Sequence, residues 1–289
     1  MEVIRAGVLG FCMGVRRAVE LAAAEAEQTK KGECVYTLGP LIHNPKVLHE
    51  LQGLGVKMLE EGRFQHGLAA SAIIIRAHGI SRQLQEELQG KGWRIVDATC
   101  PKVKASQLKA EALIRDGYKL FLAGEAKHAE ITGILGYAAG GFCEVVENAH
   151  YAQISAAKLY EKEKNAKTAL LGQTTISEEE YDAIGRAIKK YFPAIKIIQT
   201  ICGATKDRQN ALRELLPHAD AIIVAGGKES ANTRRLFAIA RDSGKPSAIA
   251  ENAGDIPASF KGLNTIGLCA GASTPKSLID EIEQELLKI

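Results

Sequence analysis

The sequence predicts an α/β fold built mostly on parallel sheets. Three observations carry that prediction. Short β-branched, apolar runs alternate with helical stretches along almost the whole chain. Most of those runs are apolar at consecutive residues, as strands covered by helices on both faces are. A third pattern, strand then cysteine then helix, recurs three times at wide spacing.

Taken in order, the strand-like runs are residues 3–8, 34–38, 72–76, 94–98, 119–123, 143–146, 168–172, 196–199, 221–225, 246–250 and 264–269. Between them lie helical patterns such as 15–27, 82–89, 102–115, 178–191, 205–216 and 233–241. Ser177-Glu-Glu-Glu180 reads as a capping box that opens one of these helices. Thr274-Pro275 reads as a cap followed by proline in the first turn of a closing helix.

Composition narrows the function classes. The chain has 289 residues, 46% hydrophobic and 25% charged, which is ordinary globular composition. No long uncharged apolar run predicts a transmembrane helix. A net charge of +3 is too balanced to point to nucleic acid or a membrane surface. The first residues carry no signal-peptide pattern, so a cytoplasmic location is expected. The densest charge cluster, residues 161–167, carries both signs and reads as a solvated connector.

Six cysteines without a secretion signal are not read as a disulfide framework, and no CxxC pair occurs. Cys12, Cys100 and Cys202 share one context: each follows a strand-like run and precedes a helical one. They lie 88 and 102 residues apart, which suggests a weak threefold repeat of about ninety residues per unit. A thiolate at a helix N-terminus is stabilised by free N–H groups and the helix dipole. Three such thiolates suit zinc or an iron–sulfur cluster, and three inert core thiols remain the competing reading. Cys34, Cys143 and Cys269 fall in or beside apolar strand patterns and read as buried small hydrophobes.

The histidines follow the same logic. His43, His78 and His128 all lie at strand-to-helix junctions, whereas His49, His66, His150 and His218 do not and read as surface or packing residues. Hydroxyl and amide groups crowd the remaining junctions: Gln173-Thr174-Thr175, the stretch from Gly226 to Thr233 with Ser230 and Asn232, and the turn from Gly271 to Pro275 with Ser273. Glycine-rich turns with such groups at a helix start make anion sites. Neither GxxxxGK[ST] nor GxGxxG is present, so a small phosphate-bearing ligand fits better than a nucleotide or dinucleotide.

These residues carry a resemblance. Gly10-Phe-Cys-Met-Gly-Val15, Gly39-Pro-Leu-Ile-His-Asn44, Arg76-Ala-His-Gly79 and Asp97-Ala-Thr-Cys100-Pro101 run in order along the chain. His128-Ala-Glu130, Gln173-Thr-Thr-Ile-Ser177, Thr200-Ile-Cys202, Arg208-Gln209, Ser230-Ala-Asn232 and Gly271-Ala-Ser273 continue the set. Together they resemble the 4-hydroxy-3-methylbut-2-enyl diphosphate reductases, LytB-type iron–sulfur enzymes that end the non-mevalonate isoprenoid pathway. The chain departs from the pattern at Ala231, where a second serine is common, at Ala129, where proline is common, and at Lys206-Asp207.

The resemblance implies three small α/β domains, related by a pseudo-threefold, in a cloverleaf around a central cluster. Their expected boundaries are 1–99 (with the C-terminal tail packed on it), 100–200 and 201–289. It implies Cys12, Cys100 and Cys202 as ligands of one 4Fe–4S cluster, which oxygen can convert to a 3Fe–4S form. It implies His43, His78, His128, Ser230, Asn232 and Ser273 as diphosphate ligands, with Glu130, Thr174 and His128 in catalysis. The implied reaction is reductive dehydroxylation of an allylic diphosphate to isopentenyl and dimethylallyl diphosphate, with two electrons and two protons. A ferredoxin or flavodoxin is the expected electron donor, with no nucleic-acid or membrane partner. Two rivals stand beside it: a non-redox dehydratase with the same kind of cluster, and a non-enzymatic zinc or cluster sensor.

Overall fold

The computed structural model describes residues 1–30, 33–60 and 72–289. Along the chain come β1 (Glu2–Arg5), α1 (Met13–Gln28), β2 (Val35–Leu38), α2 (Pro45–Gly53), β3 (Val56–Leu59), β4 (Ala72–Ile75), α3 (Arg82–Gly90), β5 (Arg94–Asp97) and α4 (Pro101–Arg115). Next are β6 (Lys119–Ala123), α5 (Ala129–Tyr137), β7 (Cys143–Val146), α6 (Ala149–Lys162), β8 (Thr168–Gly172), α7 (Glu178–Lys189) and β9 (Lys196–Ile197). The chain ends with α8 (Gly203–Leu215), β10 (Ala221–Ala225), α9 (Ala231–Asp242), β11 (Ser247–Ala250), β12 (Thr265–Ala270) and α10 (Lys276–Leu286).

Among the described residues the strands make three four-stranded sheets, and the α/β class read from the sequence is what the chain adopts. One sheet runs in the order β1-β12-β10-β11, another β7-β6-β8-β9, all parallel. In the remaining sheet β2 pairs with β3, and β4 with β5, again parallel. The chain packs as two compact units: Met1–Leu59 with Gly203–Ile289, and Glu60–Cys202.

Strand pleat divides each core in two. In the unit Glu60–Cys202, Phe121 and Leu170 face one way, onto Ile184 and Ile188 of α7 and Ala152 and Ala156 of α6. Their neighbours Leu120, Leu122 and Leu171 face the other way, onto Leu113 of α4 and Ile131 and Ile134 of α5. In the other unit Ile223 and Leu268 pack on Leu278 and Ile282 of α10, while Ile222 and Val224 pack on Leu212 of α8 and Leu236 of α9. Each fully buried Leu or Ile contributes about 1.5–3 kcal/mol. Sheets covered on both faces therefore hold the loops at their carboxyl ends rigidly, where sites in such folds lie.

Several expectations shift locally. β1 stops at Arg5, and the following loop passes through Gly10 at φ +80° before reaching Cys12. β9 is two residues long. β3 and α6 are elements absent from the sequence reading: β3 is only four residues long and Lys57 interrupts its apolar run. Ser177 does cap α7, its hydroxyl accepting from the Glu180 N–H at 3.2 Å. Thr274 does not cap α10. Its hydroxyl donates to the Ala225 carbonyl at 2.9 Å, Pro275 takes the N-cap position, and the helix starts at Lys276. Residues 161–167 are largely solvated, as read, with Lys119 paired to Glu163. Among the described residues no helix is long and apolar enough to cross a membrane.

Candidate functional site

In the unit Glu60–Cys202 the expected residues converge at the ends of β4, β5, β6 and β8. Cys100 is the N-cap of α4, and its backbone N–H donates to the Ala77 carbonyl at 3.0 Å. That bond ties the cysteine loop to the loop carrying His78. Gln107, buried on α4, holds the same loop by donating to the Ile80 carbonyl at 3.2 Å. Gly79 has φ +71°, and a Cβ there would lie 2.5 Å from the Gln107 amide nitrogen. Gly136 on α5 is needed too, because a Cβ would overlap Ser81. This close packing sets the His78 and His128 rings 5.3 Å apart and nearly perpendicular.

His128 is the N-cap of α5. Its Nδ1 accepts from the Glu130 N–H at 3.2 Å, so the neutral ring carries its proton on Nε2. Glu130 is 1% exposed. One carboxylate oxygen accepts from the Thr174 N–H at 2.7 Å and the other from the Thr174 hydroxyl at 2.8 Å. Burial pushes the Glu130 carboxyl up to about 7, while the two Thr174 hydrogen bonds pull the other way. The Thr174 carbonyl in turn accepts from the Cys202 N–H at 2.9 Å. One run of hydrogen bonds thus joins His128, Glu130, Thr174 and the backbone of a cysteine loop.

The second group lies in the other unit. Cys12 is the N-cap of α1: its Sγ accepts from the Val15 N–H at 3.5 Å, and its N–H donates to the Ala272 carbonyl at 3.0 Å. The next residue, Ser273, donates its hydroxyl to the His43 carbonyl at 3.3 Å and lies 3.4 Å from the Ser230 hydroxyl. Ser230 caps α9 by accepting from the Thr233 N–H at 3.4 Å. Gly227 permits this approach, since a Cβ there would overlap the His43 carbonyl oxygen. Asn232 is 4% exposed, and neither its Nδ2 nor its Oδ1 has a partner among the described residues. Asn44 caps α2 through Oδ1, yet its buried Nδ2 has none either. An unsatisfied buried polar group costs about 1–3 kcal/mol, so these atoms mark a place shaped for a polar ligand.

The thiols sort as their positions suggest. Cys12 and Cys100 are helix N-caps, and Cys202 directly precedes α8; all three are half-buried and free of disulfides. Thiols presented beside free helix N–H groups fit an iron–sulfur cluster. Burial instead pushes the thiols of Cys143 and Cys269 up to about 12, which suits packing and not ligation. Cys143 is nonetheless only partly buried, and Cys34 departs further from the same expectation. It precedes β2, is only partly buried, and its sulfur lies 3.5 Å from the Lys57 ammonium. Among the described residues no group of three or more His, Cys, Asp and Glu side chains is arranged to hold a single metal ion. His49, His150 and His218 are exposed as expected, and His66 lies outside the described residues.

Asn44 and Arg208 enter the sequence reading only as members of its motifs, with no role, and Gln107 not at all, although Asn44-Pro45 has the form of an N-cap followed by proline.

Comparisons with known proteins agree over the whole length. A 4-hydroxy-3-methylbut-2-enyl diphosphate reductase of Treponema denticola is 44% identical over 291 aligned residues, covering all of both chains. One of Aquifex aeolicus is 38% identical, covering all of this chain and 97% of its own. A solved structure of (E)-4-hydroxy-3-methyl-but-2-enyl diphosphate reductase, described as the terminal enzyme of the non-mevalonate pathway, is 37% identical with a TM-score of 0.71. It covers 100% of this chain and 99% of its own. The Plasmodium falciparum reductase structure is 28% identical with a TM-score of 0.88, covering 98% and 87%. The family model described as LytB protein matches residues 3–287, and the chain belongs to the LytB family.

Proposed function

We propose that this chain converts (E)-4-hydroxy-3-methylbut-2-enyl diphosphate to isopentenyl and dimethylallyl diphosphate by reductive dehydroxylation. The chain is an iron–sulfur oxidoreductase of the LytB family. The observation that carries the reaction is the buried Glu130–Thr174 pair. Hydroxide is a poor leaving group and needs a proton or a Lewis acid. A carboxyl held near neutrality, with a hydroxyl at 2.8 Å, can hold that proton at working pH and pass it on.

Cys12, Cys100 and Cys202 are the proposed ligands of a 4Fe–4S cluster, and the division at residues 99 and 200 belongs to the same proposal. When bound through three thiolates, such a cluster supplies single electrons and one iron without a protein ligand that acts as a Lewis acid. The remaining work falls to the chain. Ser230, Asn232, Ser273, His43, His78 and His128 hold the diphosphate by hydrogen bonds and fix the allylic alcohol against the acid. The Nε2–H of His128 faces this task because Nδ1 is committed to the Glu130 N–H. Glu130 donates a proton from its Oε2 side through the Thr174 hydroxyl as water leaves. Electrons come from an external one-electron carrier, a ferredoxin or flavodoxin, and the enzyme works in the cytoplasm.

An anaerobic assay with this diphosphate and an artificial one-electron donor tests the reading. Reductant-dependent formation of the two five-carbon diphosphates, two electrons per product, supports it. Turnover without reductant would point to a dehydratase, and a colourless protein with one zinc per chain would refute the cluster.

A further inference from the structure

Among the described residues only two of the Asp, Glu, Lys and Arg side chains are buried: Glu130 and Arg208. Glu130 has a task in the reading above, and Arg208 has none. It lies on α8 at 4% exposure. One terminal nitrogen of its guanidinium donates to the Ala204 carbonyl at 2.6 Å, the other to the Gly10 carbonyl at 2.5 Å. Both acceptors stand two residues from a cysteine. Ala204 is in the first turn of α8, directly after Cys202, and Gly10 is in the loop that leads to Cys12.

The Cys12 loop needs such a fastening. It has left β1, and it turns at Gly10 with φ +80°. A Cβ at Gly10 would lie 3.2 Å from the Ile279 Cδ1 and 3.4 Å from the Thr274 carbonyl oxygen, so the turn is also pressed against α10. On its far side the loop is held by the Cys12 N–H to the Ala272 carbonyl. Arg208 supplies the near-side hold. Only a planar fork with several donors reaches two carbonyls at once, which a lysine ammonium on its flexible stem does poorly. Burial also keeps the positive charge from being screened.

We propose that Arg208 is a positioning residue for the cluster, stapling the Cys12 loop to the first turn of α8 and placing a fixed positive charge beside the redox centre. The proposal rests on the cluster reading. Its two parts separate. The fork governs how firmly Cys12 is held, and so how slowly iron is lost. The charge favours the electron-richer state, and so raises the reduction potential.

The test compares anaerobically purified wild type, Arg208→Lys and Arg208→Gln. It measures iron and sulfide per chain, the rate of iron loss to a chelator, and the midpoint potential. Arg208→Gln should lose iron about 10-fold faster or more, as expected for a lost outer-shell partner, with a more negative potential. Arg208→Lys should keep a near-wild-type potential yet lose iron faster. Wild-type iron retention in Arg208→Gln, with unchanged potential, overturns the proposal. If Arg208→Gln does not fold, wild-type iron retention in Arg208→Lys overturns it equally. Wild-type protein that binds no iron refutes the cluster reading instead.

Discussion

Two groups of residues, one in each unit, meet the same demand in opposite ways. In the unit Glu60–Cys202 the candidate acid sits in a series of hydrogen bonds: His128 to Glu130, Glu130 to Thr174, Thr174 to the Cys202 backbone. In the other unit the Asn232 side-chain amide and the Asn44 Nδ2 are buried with no partner among the described residues. Burial raises the Glu130 carboxyl to about 7 against the pull of its two Thr174 hydrogen bonds, which fix where the carboxyl points. Buried amide groups beside a helix N-terminus suit an anion, and in the proposed reading a diphosphate supplies the oxygens. In the proposed reading the contrast separates chemistry from binding: Glu130 and Thr174 move a proton, while Asn232 and its neighbours hold an anion that His78 and His128 also contact.

The largest test of that contrast is Cys202→Ser. Serine keeps the backbone N–H that bonds Thr174, so the Glu130–Thr174 pair should survive while the cluster is lost or converted. Iron analysis and turnover check this, with activity abolished; unchanged iron content would break the three-ligand assignment. Next is Glu130→Gln, expected to lower kcat by about 10²-fold or more with the cluster spectrum intact and KM little changed. Wild-type turnover in that variant would remove Glu130 from the chemistry.

The pH profile follows from the same group. Proton donation needs the acid form, so kcat should fall above a pH of about 7, and Glu130→Gln should lack that limb. Asn232→Ala should give the opposite signature, KM raised about 10-fold with kcat nearly unchanged, as for one hydrogen bond to a charged group. A fall in kcat alone would blur the division.

A stability effect comes last. Folding raises the Glu130 carboxyl from 4.5 to about 7, so the native state binds more protons than the unfolded state between those values. Its contribution is most favourable below about pH 4.5 and is lost as pH rises to about 7, a change of about 3 kcal/mol. Anaerobic denaturant titrations should show Glu130→Gln gaining on wild type between pH 4.5 and 8. A difference that is flat with pH would contradict the raised value.

Much of the site was legible because local signals placed it. Cys12, Cys100, His128 and Ser230 all occupy N-cap positions, so reading them at strand-to-helix junctions found their places. The ordered motifs carried the family, and the match over residues 3–287 bears that resemblance out. What was not legible is tertiary. The Arg208–Gly10 bond spans 198 positions, and the overlap of Gly227 with the His43 carbonyl leaves no pattern in either segment. Thr274 shows the limit from the other side. Its context is that of a cap, but a carbonyl of β10, 49 positions away, takes the hydroxyl. Local propensity yields wherever packing offers a buried acceptor.

The division of labour is tested most directly by anaerobic calorimetry of substrate binding to the loaded enzyme, comparing Glu130→Gln with Asn232→Ala. The account predicts near-wild-type Kd for Glu130→Gln and a Kd weakened about 10-fold or more for Asn232→Ala. Lost binding in the first with retained binding in the second would contradict it.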